Sequence, residues 1–123
     1  MANILCVENE PNVTESQFAI LQAAGHQVTS ATSVREAIEK LQKHRYDAIL
    51  TDWRLGGGDG YGIVQAAKAR SRTPVVVVSA YVSEAFQAAE PLADLYLEKP
   101  VDPGELVTIV NELLKTGQPT RSS

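Results

Sequence analysis

Three uninterrupted apolar runs constrain this chain most: Ile4-Leu5-Cys6-Val7, Ala48-Ile49-Leu50 and Val75-Val76-Val77-Val78. None of them alternates apolar with polar side chains. A strand of that kind is buried on both faces, the condition of a parallel sheet covered by helices on either side. Between the runs, apolar residues recur at helical spacing. Val13, Ile20, Leu21 and Ala24 mark a helix that carries Pro11 in its first turn, takes Asn9 or Glu10 as its cap and is ended by Gly25. Ser33 and Glu36 form a capping box ahead of the stripe Val34, Ala37, Ile38 and Leu41. Asp59 can cap a third helix with Ile63, Val64 and Ala67 inward, and residues 83–90 read as a short helix stopped by Pro91. Asp102, Pro103 and Glu105 open a last helix with the core stripe Leu106, Ile109, Val110 and Leu113. Val107 and Leu114 widen that stripe, which makes this side of the helix either a partner or dimer surface or simply a broad core face.

Two lesser strands, residues 27–30 and 94–97, complete five strand–helix units. Such alternation predicts an α/β fold: a doubly wound, five-stranded parallel sheet of strand order 2-1-3-4-5, flavodoxin-like, with helices on both faces and right-handed crossovers. Residues 1–116 are expected to form this one domain, and the small, polar residues 117–123 a disordered tail or linker remnant. The net charge of −4 argues against nucleic acid or an anionic membrane as the main partner. The single cysteine, Cys6, cannot form an internal disulfide and lies in an apolar run. A buried core thiol in a reducing, cytoplasmic setting is the expectation. Neither a basic leader nor an apolar segment of membrane-spanning length is legible. Lys40, Lys43, His44 and Arg45 cluster where the second helix ends, a place the helix dipole favours for basic side chains on a solvated face.

Open parallel sheets place their chemistry beyond the carboxyl ends of the strands. There the first strand gives Glu8, Asn9 and Glu10, the third gives Asp52, the fourth Ser79 and the fifth Lys99. In the order 2-1-3-4-5 these ends are neighbours, so the side chains can converge at one mouth. Oxygens of Glu8, Asn9 and Asp52 suit a hard cation such as Mg²⁺. A lysine and a hydroxyl beside them can hold phosphoryl oxygens. Asp52 is then a carboxylate nucleophile able to form an acyl phosphate. No histidine sits at this mouth to activate a serine, no Cys/His cluster suggests zinc, and the glycines from Gly56 to Gly62 fit neither the dinucleotide fingerprint nor the P-loop. Singly, an aspartate or serine at a strand end is more often a turn or cap residue, and a Lys-Pro pair a turn. Four strand ends agreeing in type and in order are far more specific.

With these residues in place, the chain resembles the receiver domain of two-component response regulators over all but its tail. Residues 4–11 resemble the acidic first strand. Residues 47–55 resemble the phosphoacceptor strand, with Asp59-Gly60 closing its loop. Residues 75–80 resemble the strand bearing a Ser/Thr, here Ser79, and residues 94–100 the last strand with its Lys-Pro, here Lys99-Pro100. The resemblance implies that Asp52 accepts a phosphoryl group from a phosphohistidine of a histidine kinase or histidine phosphotransfer protein, in a Mg²⁺-dependent reaction. It implies that Lys99 pairs with that group, that Ser79 moves to hydrogen-bond it, that Tyr96 swings inward behind it and that Pro100 follows a cis bond. It further implies a signalling surface on the last two helices, offered to a downstream protein or a second copy, and self-catalysed phosphorylation and dephosphorylation in place of classical enzyme turnover.

The chain departs from the family's pattern in three places. Asn9 stands where a second aspartate is usual, so weaker Mg²⁺ binding is expected; Glu8 is one methylene longer than the usual residue; and Gly56 replaces a proline, so a mobile loop is expected. Arg54 and Tyr81 match positions that tune phosphoryl lifetime. The Asn9 substitution keeps open a receiver fold that binds proteins without phosphorylation. A phosphatase with an aspartate nucleophile would want a second acid two residues after Asp52, where Arg54 stands.

Overall fold

The strand-forming runs hydrogen-bond side by side in the computed structural model, which describes residues 2–55, 58–70, 73–80, 93–99 and 101–116. Five parallel strands make the sheet: β1 (Asn3–Val7), β2 (Gln27–Ala31), β3 (Ala48–Thr51), β6 (Val75–Ser79) and β7 (Leu95–Glu98), in the order β2-β1-β3-β6-β7. Two short strands, β4 (Arg54–Leu55) and β5 (Gly58–Asp59), lie apart from that sheet as an antiparallel ribbon. Counting the sheet strands alone, the order is the expected 2-1-3-4-5. The helices described are α1 (Pro11–Ala23), α2 (Val34–Lys43), α3 (Gly60–Arg70) and α4 (Pro103–Thr116). The helix expected over residues 83–90 lies outside the described residues, as do residues 117–123.

Period-two geometry turns each apolar run into two cores. Leu5, Val7, Ile49, Val75 and Val77 face α2 and α3, where they meet Ala37, Leu41, Ile63, Val64 and Ala67. Ile4, Cys6, Ala48, Leu50, Val76 and Val78 face the other way and meet Leu21 of α1 with Leu106 and Val110 of α4. This is why the runs cannot alternate: both faces of the central strands are interior.

Several boundaries differ from expectation for local reasons. Strand β2 extends to Ala31, a buried residue, and β7 runs one position later than its sequence pattern suggests. Glu10 occupies the cap position of α1, yet its side chain makes no capping bond; Pro11 at the first turn starts the helix. Gly25 takes φ 96°, the left-handed conformation that ends α1. Ser33 caps α2 by accepting from the Glu36 N–H at 3.1 Å. Glu36 returns its carboxylate one residue early, to the Thr32 N–H at 2.8 Å and hydroxyl at 3.1 Å. The glycine stretch is not all loop: Arg54 pairs with Asp59 and Leu55 with Gly58, and Gly60 already belongs to α3. The cap expected from the Asp59 side chain, and any mobility of Gly56, fall outside what is described.

Asp102 Oδ2 accepts from the Glu105 N–H at 3.1 Å, as expected of the cap of α4. Leu106 and Val110 are its buried residues, while Val107, Leu113 and Leu114 are half-buried and packed on the same core. Val107 and Leu114 therefore belong to a broad core face. Replacing both with serine should lower stability by about 2 kcal/mol, less than full burial would imply. A urea midpoint unchanged from wild type would show that they carry no packing.

Candidate functional site

The mouth is built by hydrogen bonds that continue the ladders past the strand ends. The Glu8 N–H donates to the Ala31 carbonyl and the Asp52 N–H to the Val7 carbonyl, each at 3.0 Å. The Lys99 N–H donates to the Ser79 carbonyl at 3.1 Å. These bonds set Glu8, Asp52, Ser79 and Lys99 side by side at the carboxyl edge. Glu8 and Ser79 are buried and Asp52 is 9% exposed, so the groups face one another more than they face water.

Lys99 joins them. Its Nζ lies 2.9 Å from Glu8 Oε1 and 2.9 Å from Asp52 Oδ2. The other Asp52 oxygen, Oδ1, accepts from the Trp53 N–H at 2.6 Å. The Ser79 hydroxyl also bonds the Asp52 carboxylate. Burial pushes the Asp52 carboxyl up, but the Lys99 and Ser79 bonds, the lysine's charge and the Trp53 N–H outweigh it, and its pKa lies below the ordinary value. Glu8 goes the other way: burial, together with the neighbouring Asp52 charge, raises it to about 7 against the pull of Lys99. Burial lowers Lys99, but its bonds to Asp52 and Glu8 win and its pKa is raised. Asp52 is thus the ionised carboxylate of the pair, and Lys99 is a permanent cation beside it. Burial lifts the Cys6 thiol to about 12, which leaves it an inert core residue.

The structure brings together Glu8, Asp52, Ser79 and Lys99. Asn9 follows Glu8 at the rim and is exposed. Tyr96 is not at the mouth: its hydroxyl accepts from the Ala93 N–H at 2.9 Å, back along the chain from the carboxyl end of β7. Its ring packs on the core shared with α2 and α3. Pro100 and Tyr81 lie outside the described residues. Arg54 is exposed on the ribbon.

Sequence reasoning gave Gly60 only a loop-closing place. A Cβ at Gly60 would stand 2.6 Å from the Asp52 carbonyl oxygen and 3.2 Å from the Trp53 ring. The start of α3 is thereby seated on the backbone of Asp52. The Thr51 hydroxyl holds that same carbonyl at 2.8 Å. The Asp-Gly pair just ahead of the α3 stripe was the available signal, but the closeness of the approach is tertiary.

Among the described residues, no cluster of three or more His, Cys, Asp or Glu side chains forms a metal cage. The donor set at the mouth instead offers the two carboxylates of Glu8 and Asp52, hard oxygens of the number Mg²⁺ takes when it keeps waters. The Lys99 ammonium between Glu8 and Asp52 shows that these carboxylates can share a cation. The residues present fit the ion.

The response regulator receiver domain model matches residues 4–111, and the chain belongs to that family. It is 37% identical over 118 residues to the response regulator protein PilR of Pseudomonas aeruginosa, covering 94% of this chain and 26% of that protein. It is 33% identical over 121 residues to the phosphate regulon transcriptional regulatory protein PhoB of Escherichia coli K12, covering 94% of this chain and 53% of PhoB. The chain thus spans about a quarter and about half of these relatives. The receiver domain of the sensor histidine kinase PA1611 from Pseudomonas aeruginosa PAO1, solved with a magnesium ion coordinated in its active-site cleft, superposes with a TM-score of 0.82 at 30% identity, over 93% of this chain and 98% of that one. TrrA of Thermotoga maritima, in complex with Mg(2+)-BeF, gives 0.83 at 27% identity, over 92% and 99%. Receiver domains are signalling modules of two-component systems, not classical enzymes. No described helix is long and apolar enough to cross a membrane.

In metal-free buffer the native state binds more protons than the unfolded chain between pH 4.5, the ordinary value, and about 7, because Glu8 is raised. Stability should therefore fall as pH rises through that window, and Glu8→Gln should flatten the fall; a slope unchanged in Glu8→Gln would contradict the assignment. Asp52, being depressed, adds stability that is lost only as pH falls toward and below its ordinary 3.8. Separately, Gly60→Ala should cost about 2 kcal/mol through the forced approach to Asp52, read as a lowered urea midpoint, and a midpoint equal to wild type would show that α3 gives way freely.

Proposed function

We propose that Asp52 is the phosphoacceptor of this receiver and that Lys99 and Ser79 bind the incoming phosphoryl group. The observation that carries the reading is the Lys99 ammonium 2.9 Å from the ionised Asp52 carboxylate, inside a mostly buried mouth. An Asp52 oxygen attacks the phosphorus of a phosphohistidine. The new O–P bond forms as the P–N bond breaks, and the imidazole leaves and takes up a proton. Lys99 and the Ser79 hydroxyl supply fixed donors to the equatorial oxygens, where charge develops in phosphoryl transfer. Glu8, Asn9 and Asp52 would hold Mg²⁺, which when bound neutralises phosphoryl charge.

The donor is a histidine kinase or a histidine phosphotransfer protein, and the readout is contact with a downstream protein or a second copy on the side of α4. A phosphoryl group near charge −2 draws on the same Lys99 that now bridges Glu8 and Asp52, so its arrival redistributes the contacts of β3, β6 and β7. The inward movement of Tyr96 belongs to this reading, supported by a ring already packed on the core and a hydroxyl held at Ala93. Residues 1–116 are the unit that does this. A binding module that never accepts phosphate would have no need of Asp52, Ser79 and Lys99 together.

Trp53, the only tryptophan, adjoins the acceptor. Its fluorescence should change on adding Mg²⁺ and again on adding beryllofluoride, and both changes should vanish in Asp52→Ala. Asn9→Asp should tighten Mg²⁺ by about tenfold, the effect of one added carboxylate worth 1.4 kcal/mol. A response that persists in Asp52→Ala, or no response to either addition even in Asn9→Asp, would sink the reading.

A further inference from the structure

At the end of the sheet opposite Asp52, a cleft of about 530 Å³ opens between the end of α2 and the start of the strands. Asn3 and Gln27, the first residues of β1 and β2, line it together with Thr29. Lys40, Lys43, His44, Arg45 and Tyr46 line it as well. We propose that this cleft binds a small molecule bearing two or more phosphate groups.

Charge and space carry the proposal together. The chain is acidic, with 15 acids against 11 bases, yet the segment from Lys40 to Arg45 holds two lysines, an arginine and a histidine and no acid. None of the residues lining the cleft is acidic. Among the described residues, Lys43 and Arg45 enter no ion pair, and Lys40 reaches Glu36 only at 3.7 Å on a half-exposed flank. The helix dipole accounts for basic residues in the last turn of α2. It accounts neither for Arg45, which lies beyond the helix, nor for a cavity beside the cluster. A second cavity of about 250 Å³ is also lined by His44, Arg45 and Tyr46. Its one carboxylate, Asp47, is engaged by the Asn3 N–H at 2.8 Å.

The volume selects the ligand class. A site of this size lies within the range of small-molecule pockets, and a single phosphate would leave most of it empty. Lys40, Lys43 and Arg45 can each take a different phosphate oxygen set in charge-assisted bonds. Asn3, Gln27 and Thr29 offer amide and hydroxyl groups for the uncharged remainder. A nucleoside polyphosphate and an inorganic polyphosphate share this chemistry.

The test is calorimetric titration of the chain with tripolyphosphate and, separately, with ATP, in metal-free buffer. Saturable one-to-one binding is expected for at least one of them. It should weaken about tenfold or more in Lys43→Gln/Arg45→Gln and be unchanged in Asp52→Ala. Tighter ATP binding points to a nucleotide, and equal binding to the phosphates alone; either supports the site. Both replaced residues are exposed, and an unchanged urea midpoint confirms that the variant folds. Absence of saturable binding, affinity unchanged in the double variant, or affinity raised in Asp52→Ala, which frees Lys99 and removes a negative charge, would overturn the proposal. The last outcome would place the anion at the mouth, and none of the three bears on whether Asp52 accepts a phosphoryl group.

Discussion

The structure depends on one ammonium group. Glu8 and Asp52 sit side by side in a mostly buried mouth, and two carboxylates so placed cannot both ionise without a cation between them. Lys99 Nζ touches both, at 2.9 Å each. It comes from a strand two places away from β3, so the ion pairs tie the far side of the sheet to its centre. The division of labour follows. Asp52 gathers the lysine, the Ser79 hydroxyl and the Trp53 N–H and stays charged, while at Glu8 burial and the neighbouring Asp52 charge outweigh the lysine and shift it toward the neutral acid.

That arrangement needs a rigid frame, and the frame is the doubly covered sheet. Ladder bonds run past the last strand residues at Glu8, Asp52 and Lys99, so the side chains of the mouth stand on backbone that is still hydrogen-bonded. The base of Asp52 is fixed twice more, by the Thr51 hydroxyl on its carbonyl and by Gly60 against it. At the amino end of the sheet, Lys68 pairs with Asp94, and Asp94 Oδ2 accepts from the Val75 N–H at 2.7 Å, which joins α3 to the entries of β6 and β7. The two ends of the sheet are thus chemically distinct: an ion-paired, partly closed mouth and an open basic cleft.

Much of this was legible in the sequence because burial on both faces leaves a plain signature. The continuous runs at Ile4, Ala48 and Val75 marked the central strands, a common order of doubly wound sheets set them side by side, and the polar residues after these runs and after residues 94–97 marked Glu8, Asp52, Ser79 and Lys99. What could not be read is tertiary. The ribbon of Arg54–Leu55 with Gly58–Asp59 needs a cross-chain pairing that glycines do not advertise. The shift of the Glu36 carboxylate to Thr32 depends on where β2 delivers the chain. Val107 and Leu114 left a partner surface and a broad core face equally open, because a helical wheel does not show how far a core extends. Tyr96 is legible as a residue of β7 but not as one whose hydroxyl turns back to Ala93. The cluster from Lys40 to Arg45 reads as a solvated face, and Lys43, His44 and Arg45 are exposed; only the folded chain shows that Asn3, Gln27 and Thr29 line the same cleft.

The most direct test of the account is covalent. The protein is incubated with Mg²⁺ and a small phosphodonor, its intact mass is read, and the acyl phosphate is trapped by borohydride reduction before peptide mapping. The account predicts the mass of one added phosphoryl group, with the reduced residue at position 52. No added mass, or a phosphoryl group mapped to any other residue, would contradict it.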